Sequence, residues 1–275
     1  HPDSYLDDRD IRIIHPRDIL KTTGIELGQI DILDGSPPCV SFSNAGQWRR
    51  DERKSHIQKY SDTEQRVDDL FSEFVRLIKG TQPRTFVIEN TAAIVKGRSK
   101  GVFKHILKLL KSCGYNVACR ILDAQWLGVP QVRKRAIFVG VRSDLKLRPA
   151  YPDPLPYQYT VREILPHIIR ENRGSHMRNY QPTNRPASTI VQSGYMAGPT
   201  SYFSGGVWVE AQNETGVLER RKFTIPELKM ISTFPEDFTL TGNFDQQWER
   251  IGRAVPPVMM SHIAKSIQTN ILDRL

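Results

Sequence analysis

The sequence of 275 residues contains few cysteines, and it has no apolar run long enough to span a bilayer. Its three cysteines, Cys39, Cys113 and Cys119, have neither the even count nor the close pairing of a disulfide framework or a zinc site. The N-terminus has no basic stretch followed by an apolar one, so a secretion signal is not expected. These absences favour a reducing, intracellular setting, either the bacterial cytoplasm or the nucleus of a eukaryotic cell.

Positive charge is in excess, because 39 Lys and Arg residues face 30 Asp and Glu residues and give a formal net charge of +9. A polyanionic partner such as nucleic acid fits this balance, although many basic proteins bind none. The hydrophobic content of 39% is enough for one substantial core and a small second lobe.

Short apolar runs alternate with stretches of helical periodicity in the first half of the chain. This alternation predicts an open α/β sheet, whose catalytic groups gather beyond the carboxyl ends of the strands. Cys39 and Glu89 both follow such strands. The predicted strands are residues 30–34, 85–88, 116–122 and 136–141, and the predicted helices are residues 68–79 (ended by Gly80), 102–110, 225–231 and 259–272.

The composition of the sequence changes after residue 142. Prolines stand at positions 149, 152, 154 and 156, and a polar, basic stretch follows at residues 170–185. We place a domain boundary near residue 145, which gives a first domain of residues 1–144, a lobe of residues 145–239 and a C-terminal segment of residues 240–275.

Cys39 is a candidate nucleophile, because a thiolate is a strong, soft nucleophile and the two preceding prolines restrict the backbone that carries it. A lone cysteine is more often a buried structural residue, and this alternative stays open from Cys39 alone.

Glu89, Arg133 and Arg135 are candidate partners of that nucleophile. Glu89 ends an apolar strand, where burial is expected to raise its pKa as a proton donor requires, although a helix-capping acid would fit equally well. Arg133 and Arg135 alternate in an extended stretch, so both are expected on the same face. Their alternative interpretation is a solvated basic edge strand.

The segments that carry these four candidate residues occur together and in a fixed order. In this respect the sequence resembles the cytosine-5 DNA methyltransferases. Five segments along residues 18–257 resemble motifs of that family, and five in order are far more specific than a Pro-Cys pair. The segments are 35–43 (GSPPCVSFS, with AGQ at 45–47), 86–90 (FVIEN), 131–135 (QVRKR), 185–190 (RPASTI) and 252–257 (GRAVPP).

The resemblance implies a role for each candidate. Cys39 would attack carbon 6 of a cytosine flipped out of duplex DNA, and Glu89 would contact N3 and the exocyclic amine. Arg135 would contact O2 with support from Arg133, and S-adenosylmethionine would donate its methyl to carbon 5, with no metal required. The further residues implied are Asp18, Ile19, Pro38, Leu70, Arg253 and Ala254 at the cofactor, and Ser41, Ser43, Asn90 and Thr189 at the DNA or the base.

The resemblance also implies a Rossmann-like methyltransferase sheet in the first domain and a target-recognition lobe. The stretch between Arg142 and Arg185 is short, so this lobe is expected to be small or relocated. Residues 41–59, rich in Arg and Lys, are the candidate for a mobile loop over the base, or else an ordinary surface loop. Residues 191–222 are a further candidate part of the recognition lobe.

The sequence departs from the family at two places. The Gly-rich turn and the ribose-binding acid of the family precede the part that matches here, which leaves three explanations: a missing N-terminal segment, a second chain that supplies it, or a protein that does not bind the cofactor. Arg253 stands where the family usually has Asn, which brings a charge beside the sulfonium. The alternatives in function are a silent relative that binds DNA or a partner methyltransferase, and a tRNA methyltransferase.

Overall fold

The computed structural model describes residues 4–37, 57–59, 64–66, 69–96, 100–172, 180–192 and 208–275. Its described strands are β1 (Ile32–Gly35), β2 (Ile57–Lys59), β3 (Glu64–Arg66), β4 (Thr85–Thr91), β5 (Tyr115–Asp123), β6 (Lys134–Arg142), β7 (Ile168–Asn172), β8 (Tyr180–Pro182), β9 (Trp208–Gln212) and β10 (Leu218–Lys222). Its described α-helices are α1 (Pro16–Thr23), α2 (Leu70–Thr81), α3 (Lys100–Lys111), α4 (Val161–Ile164), α5 (Ile225–Ile231), α6 (Phe244–Arg253) and α7 (Pro257–Asn270).

The chain forms two compact units that interleave along the sequence. The first unit consists of His1–Leu122, Arg135–Tyr151 and Ser266–Leu275, and the second consists of Asp123–Lys134 and Pro152–Lys265. The functional division at residues 1–144, 145–239 and 240–275 stays a prediction.

The first unit is built on a sheet with the strand order β1-β4-β6-β5. Strands β1 and β4 run parallel, with Gly35 opposite Ile88, whereas β4 and β6 run antiparallel, with Glu89 opposite Ile137. A parallel pair needs a crossover connection, and α2 lies in the connection between β1 and β4. The sheet is therefore mixed, and the predicted α/β fold class is confirmed.

The core of this unit explains why the central strands read as continuous apolar runs. Residues 85–88 of β4 and 136–141 of β6 are all buried, as expected for strands covered by other elements. Helices α2 and α3 pack apolar side chains into the same cluster as these strands. The cluster includes Phe71, Phe74, Ile78, Phe86, Ile88, Ile106, Leu110 and Phe138.

Gly80 does not end helix α2, so this detail of the sequence prediction is wrong. The helix continues to Thr81, and Gln82 then adopts a left-handed conformation with φ 47° while its N–H donates to the carbonyl of Ile78. A side chain at position 80 would overlap the ring of Pro16 in α1. The glycine therefore allows α1 to lie close against α2 rather than stopping the helix.

The second unit contains an antiparallel sheet with the order β10-β9-β7-β8. Its inner face and the helices α4, α5 and α6 bury one apolar cluster, which includes Val161, Ile168, Val209, Ala211, Phe223, Leu228, Trp248 and Ile251. All three helices begin with a capping box, at Thr160, Thr224 and Asn243, so the sequence itself specifies where each starts.

Across the part of the chain that the structure describes, every helix is too short or too polar to cross a membrane.

Candidate active site

Glu89 and Arg135 form an ion pair in the first unit, with 2.7 Å between Arg135 Nε and Glu89 Oε1. Arg135 lies opposite Thr91 and Glu89 lies opposite Ile137, so the two side chains are diagonal neighbours on one face of the β4–β6 ladder. Their side chains are only 15% and 12% exposed. The alternatives of a helix-capping acid and a solvated edge strand are therefore wrong for this pair, because Glu89 lies within β4 and β6 is an interior strand.

The electrostatics of this pair are those of a partly desolvated site. Burial lowers the pKa of the Arg135 guanidinium, and the carboxylate of Glu89 opposes that change. An arginine remains charged under such conditions, since its ordinary pKa is above about 12. The pair thus places a cation and a carboxyl group side by side where water has limited access.

Asn90 connects this pair to the segment that leads to Cys39. Its side-chain amide donates a hydrogen bond to the carbonyl of Pro37 at 3.2 Å, and both Asn90 and Pro37 are buried. Gly35 of β1 pairs with Ile88, so the chain leaves β1 next to Glu89 and Asn90. Cys39 itself lies outside the described residues, as do Pro38, Ser41 and Ser43 and most of the predicted loop of residues 41–59.

Arg133 has different partners from Arg135 and lies in the second unit. It is 2% exposed, and its two terminal nitrogens donate to the carbonyls of Ile190 and Gly252, both at 2.9 Å. The interpretation as a solvated basic residue is therefore wrong for Arg133 as well.

Thr189 and Gln131 extend the same network. The hydroxyl of Thr189 donates to the carbonyl of Val132. The amide of Gln131 accepts from the backbone N–H of Ile190 at 3.1 Å and donates to the Ser232 hydroxyl at 3.2 Å. The sequence analysis assigned no role to Gln131. Its position as the first residue of the Gln-x-Arg-x-Arg segment could have indicated one.

The residues predicted at the cofactor fall in both units. In the first, Asp18 and Ile19 lie in α1, where the Asp18 carboxylate accepts from the backbone N–H of His15 at 3.3 Å, and Leu70 begins α2. In the second, Arg253 and Ala254 lie at the C-terminal end of α6.

The positive charge of Arg253 is paired with a carboxylate in the same helix. Its guanidinium lies 3.3 Å from Glu249 Oε1, one turn earlier, and the Glu249 side chain is only 7% exposed. The positive charge of Arg253, at the predicted cofactor segment, is thus paired with a carboxylate of the same helix.

Comparison with solved structures shows the class of fold. A Spodoptera frugiperda DNMT2 mutant superposes with a TM-score of 0.68 at 17% identity, covering 97% of this chain and 86% of that one. The fold is accordingly that of a Rossmann-like methyltransferase.

Sequence comparison then shows the family. The type II methyltransferase M1.HphI of Haemophilus parahaemolyticus is 28% identical over 296 residues, covering 97% of this chain and 75% of the relative. M.BspRI of Lysinibacillus sphaericus is 29% identical, covering 95% of this chain and 65% of the relative. The pattern of the C-5 cytosine-specific DNA methylases matches residues 6–202 and 158–269. The chain belongs to this family, and its class of enzyme is the DNA cytosine methyltransferases.

Proposed function

We propose that this protein methylates carbon 5 of cytosine in double-stranded DNA, with Cys39 as the covalent nucleophile. The observation that carries the proposal is the Glu89–Arg135 ion pair, together with the bond from Asn90 to Pro37. A carboxyl group and a guanidinium are the two groups needed at N3 and O2 of a pyrimidine that is attacked at carbon 6. Pro37, two positions before Cys39, is bonded to Asn90, the residue that follows Glu89 in β4.

The proposed chemistry assigns one step to each group. The thiolate of Cys39 adds to carbon 6, and the ring electrons shift toward N3, contacted by Glu89, and O2, contacted by Arg135. Carbon 5 thereby becomes nucleophilic and takes up the methyl group. Transfer of the proton from carbon 5 to water and departure of the Cys39 thiolate restore the aromatic ring. S-adenosylmethionine, when bound, would supply the methyl group and would leave as S-adenosylhomocysteine.

The residues proposed for this cofactor are Asp18, Ile19, Pro38, Leu70, Arg253 and Ala254. The ion pair of Arg253 with Glu249 reduces the repulsion between the Arg253 guanidinium and the positively charged sulfonium.

The target base lies inside a duplex, so it must be flipped out before the thiolate can reach it. Ser41, Ser43, Asn90 and Thr189 are proposed to contact the DNA or the base. The relatives named type II methyltransferases favour a role in restriction and modification.

Incubation with labelled S-adenosylmethionine and either duplex DNA or tRNA tests the substrate. We expect label in the DNA alone. Label in tRNA alone would identify a tRNA methyltransferase, and label in neither would favour a silent relative that binds DNA or a partner.

Covalent trapping tests the nucleophile. DNA with 5-fluorocytosine at the target cannot lose a proton from carbon 5, so the protein should remain attached through Cys39 when the cofactor is present. Cys39→Ser should abolish this adduct. Cys119→Ser is the matched control and should keep it, because burial raises the pKa of the Cys119 thiol to about 12 and leaves little thiolate at neutral pH.

A further inference from the structure

The segment around Ile190 is held by side chains of two other segments of the second unit. Gln131 bonds to its N–H and Arg133 bonds to its carbonyl. On the next residue, the carbonyl of Val191 accepts from the indole N–H of Trp248 in α6 at 3.1 Å. Residues 190–191 are therefore fixed between the Gln-x-Arg segment on one side and α6 on the other.

Arg133 is the group that joins all three segments. Its second bond goes to the carbonyl of Gly252, in the last turn of α6, where helix carbonyls have no partner within the helix. The aligned peptide dipoles make this end of a helix negative, so it stabilises a buried cation. The planar guanidinium can bond to two carbonyls in fixed directions, which an ammonium does less well.

Gly252 allows the helix to come this close. A Cβ at this position would lie 2.6 Å from Gln192 N and 2.6 Å from the carbonyl carbon of Val191, and both atoms belong to the backbone. The contact between α6 and residues 191–192 therefore depends on a glycine, as well as on the arginine that bridges it.

We propose that Arg133 is a positioning residue that fixes the separation between Ile190 and the C-terminal turn of α6. The consequence for activity rests on the proposed function. That turn continues into Arg253 and Ala254, proposed for the cofactor, and Thr189, proposed for DNA, directly precedes Ile190. Arg133 therefore sets the affinity for the methyl donor and for DNA, whereas Glu89 and Arg135 set the rate of the chemical step.

Kinetics of three arginine variants of the full protein test this division. Arg133→Met should raise the KM for S-adenosylmethionine and for DNA about tenfold, the order expected for a lost buried hydrogen bond, and should leave kcat within about threefold. Arg135→Met should lower kcat and leave both KM values nearly unchanged. Arg84→Met removes an arginine that precedes β4, outside the predicted recognition lobe, and pairs with Asp31 with its side chain 33% exposed, so this variant should match the wild type.

Two outcomes would overturn the proposal. A loss in kcat of about 100-fold with unchanged KM values would place Arg133 in contact with the base. Wild-type values for both KM and kcat in Arg133→Met would show that the bridge has no effect on function.

Gly252→Ala is an independent way to separate the same elements, since it leaves Arg133 in place. It should raise both KM values, as Arg133→Met does. In the double variant, each KM should increase by less than the product of the two single increases. Fully multiplicative effects would mean that the two residues act independently, contrary to the proposal.

Hydrogen exchange measured by mass spectrometry tests positioning without turnover. In Arg133→Met, peptides covering residues 187–192 and 250–254 should exchange faster, and a peptide covering residues 85–91 of the first unit should not change. If the Met variant does not fold, Arg133→Lys keeps the charge and should show a smaller change of the same kind. An inactive wild type would defeat the proposed function alone, whereas unchanged exchange in the variants would defeat the positioning role.

Discussion

Glu89 and Arg135 are oppositely charged groups that most folded proteins would leave in water. Their side chains are instead largely buried, and each offsets part of the desolvation of the other. An ion pair of this kind contributes little to stability compared with an apolar pair of similar size, so its presence is better explained by chemistry.

For this single residue, we predict how Glu89→Gln changes kcat and stability. The amide keeps the size of the side chain but neither carries a negative charge nor transfers a proton, so kcat for DNA methylation should fall about 100-fold or more. The change also leaves the Arg135 cation without its carboxylate, which should lower the free energy of unfolding by roughly 1 to 3 kcal/mol. Methylation rates and urea unfolding measure the two effects.

Glu73→Gln is the matched control for Glu89→Gln. Glu73 also pairs with an arginine, Arg76, but in α2 and with more exposed side chains. Glu73→Gln should keep the wild-type kcat, and its free energy of unfolding should fall by less than about 1 kcal/mol. If both variants lose activity equally, Glu89 has no special role.

Helix α5 shows how one carboxylate organises an element. Glu227 caps the N-terminus by accepting from the N–H of Thr224, and it also pairs with Arg221 and His167 at 2.7 and 2.6 Å. Burial alone would raise the pKa of Glu227, but the hydrogen bonds from Arg221, His167 and Thr224 lower it to about 2.

This lowered pKa predicts a dependence of stability on pH. The folded pKa lies below the ordinary value of 4.5, so the contribution is complete above about pH 5 and is lost as the pH falls toward 2. Its size is roughly 3 kcal/mol at most. The free energies of unfolding of wild type and Glu227→Gln should differ at pH 7 and converge only as the pH falls to about 2 in urea titrations.

Glu219→Gln is the control for this helix, since Glu219 also bonds to Arg221 but its side chain is 44% exposed. It should change stability little at any pH. A wild type and Glu227→Gln variant that remain equally far apart at pH 7 and pH 3 would contradict the assignment.

For the whole molecule, the net charge of +9 is the property with the broadest consequence. Binding of a basic protein to DNA releases counterions from the phosphates, so the affinity falls as salt rises. We predict that the Kd for a short duplex rises about tenfold or more between 50 and 200 mM NaCl, measured by fluorescence anisotropy. Binding of S-adenosylhomocysteine should change far less, and a Kd for DNA that is independent of salt would refute a phosphate-based contact.

The fold was largely predictable where strands are buried and helices are amphipathic. Burial on both faces gives β4 and β6 continuous apolar sequences, and the periodicity of α2 and α3 follows from one buried face. The end of α2 was not predictable, because Gly80 serves a contact with Pro16 that lies far away in sequence.

The sequence by itself determined the α/β class and the order of the motifs, and it marked Glu89 and Arg135 as candidates that the structure brings together. Only the tertiary structure decided the place of Arg133, which alternates with Arg135 in sequence but bonds to Ile190 and Gly252, 57 and 119 residues away. The physical reason is that its partners are backbone carbonyls. Every residue carries such a group, so nothing in the amino-acid sequence distinguishes the two that a buried guanidinium will meet.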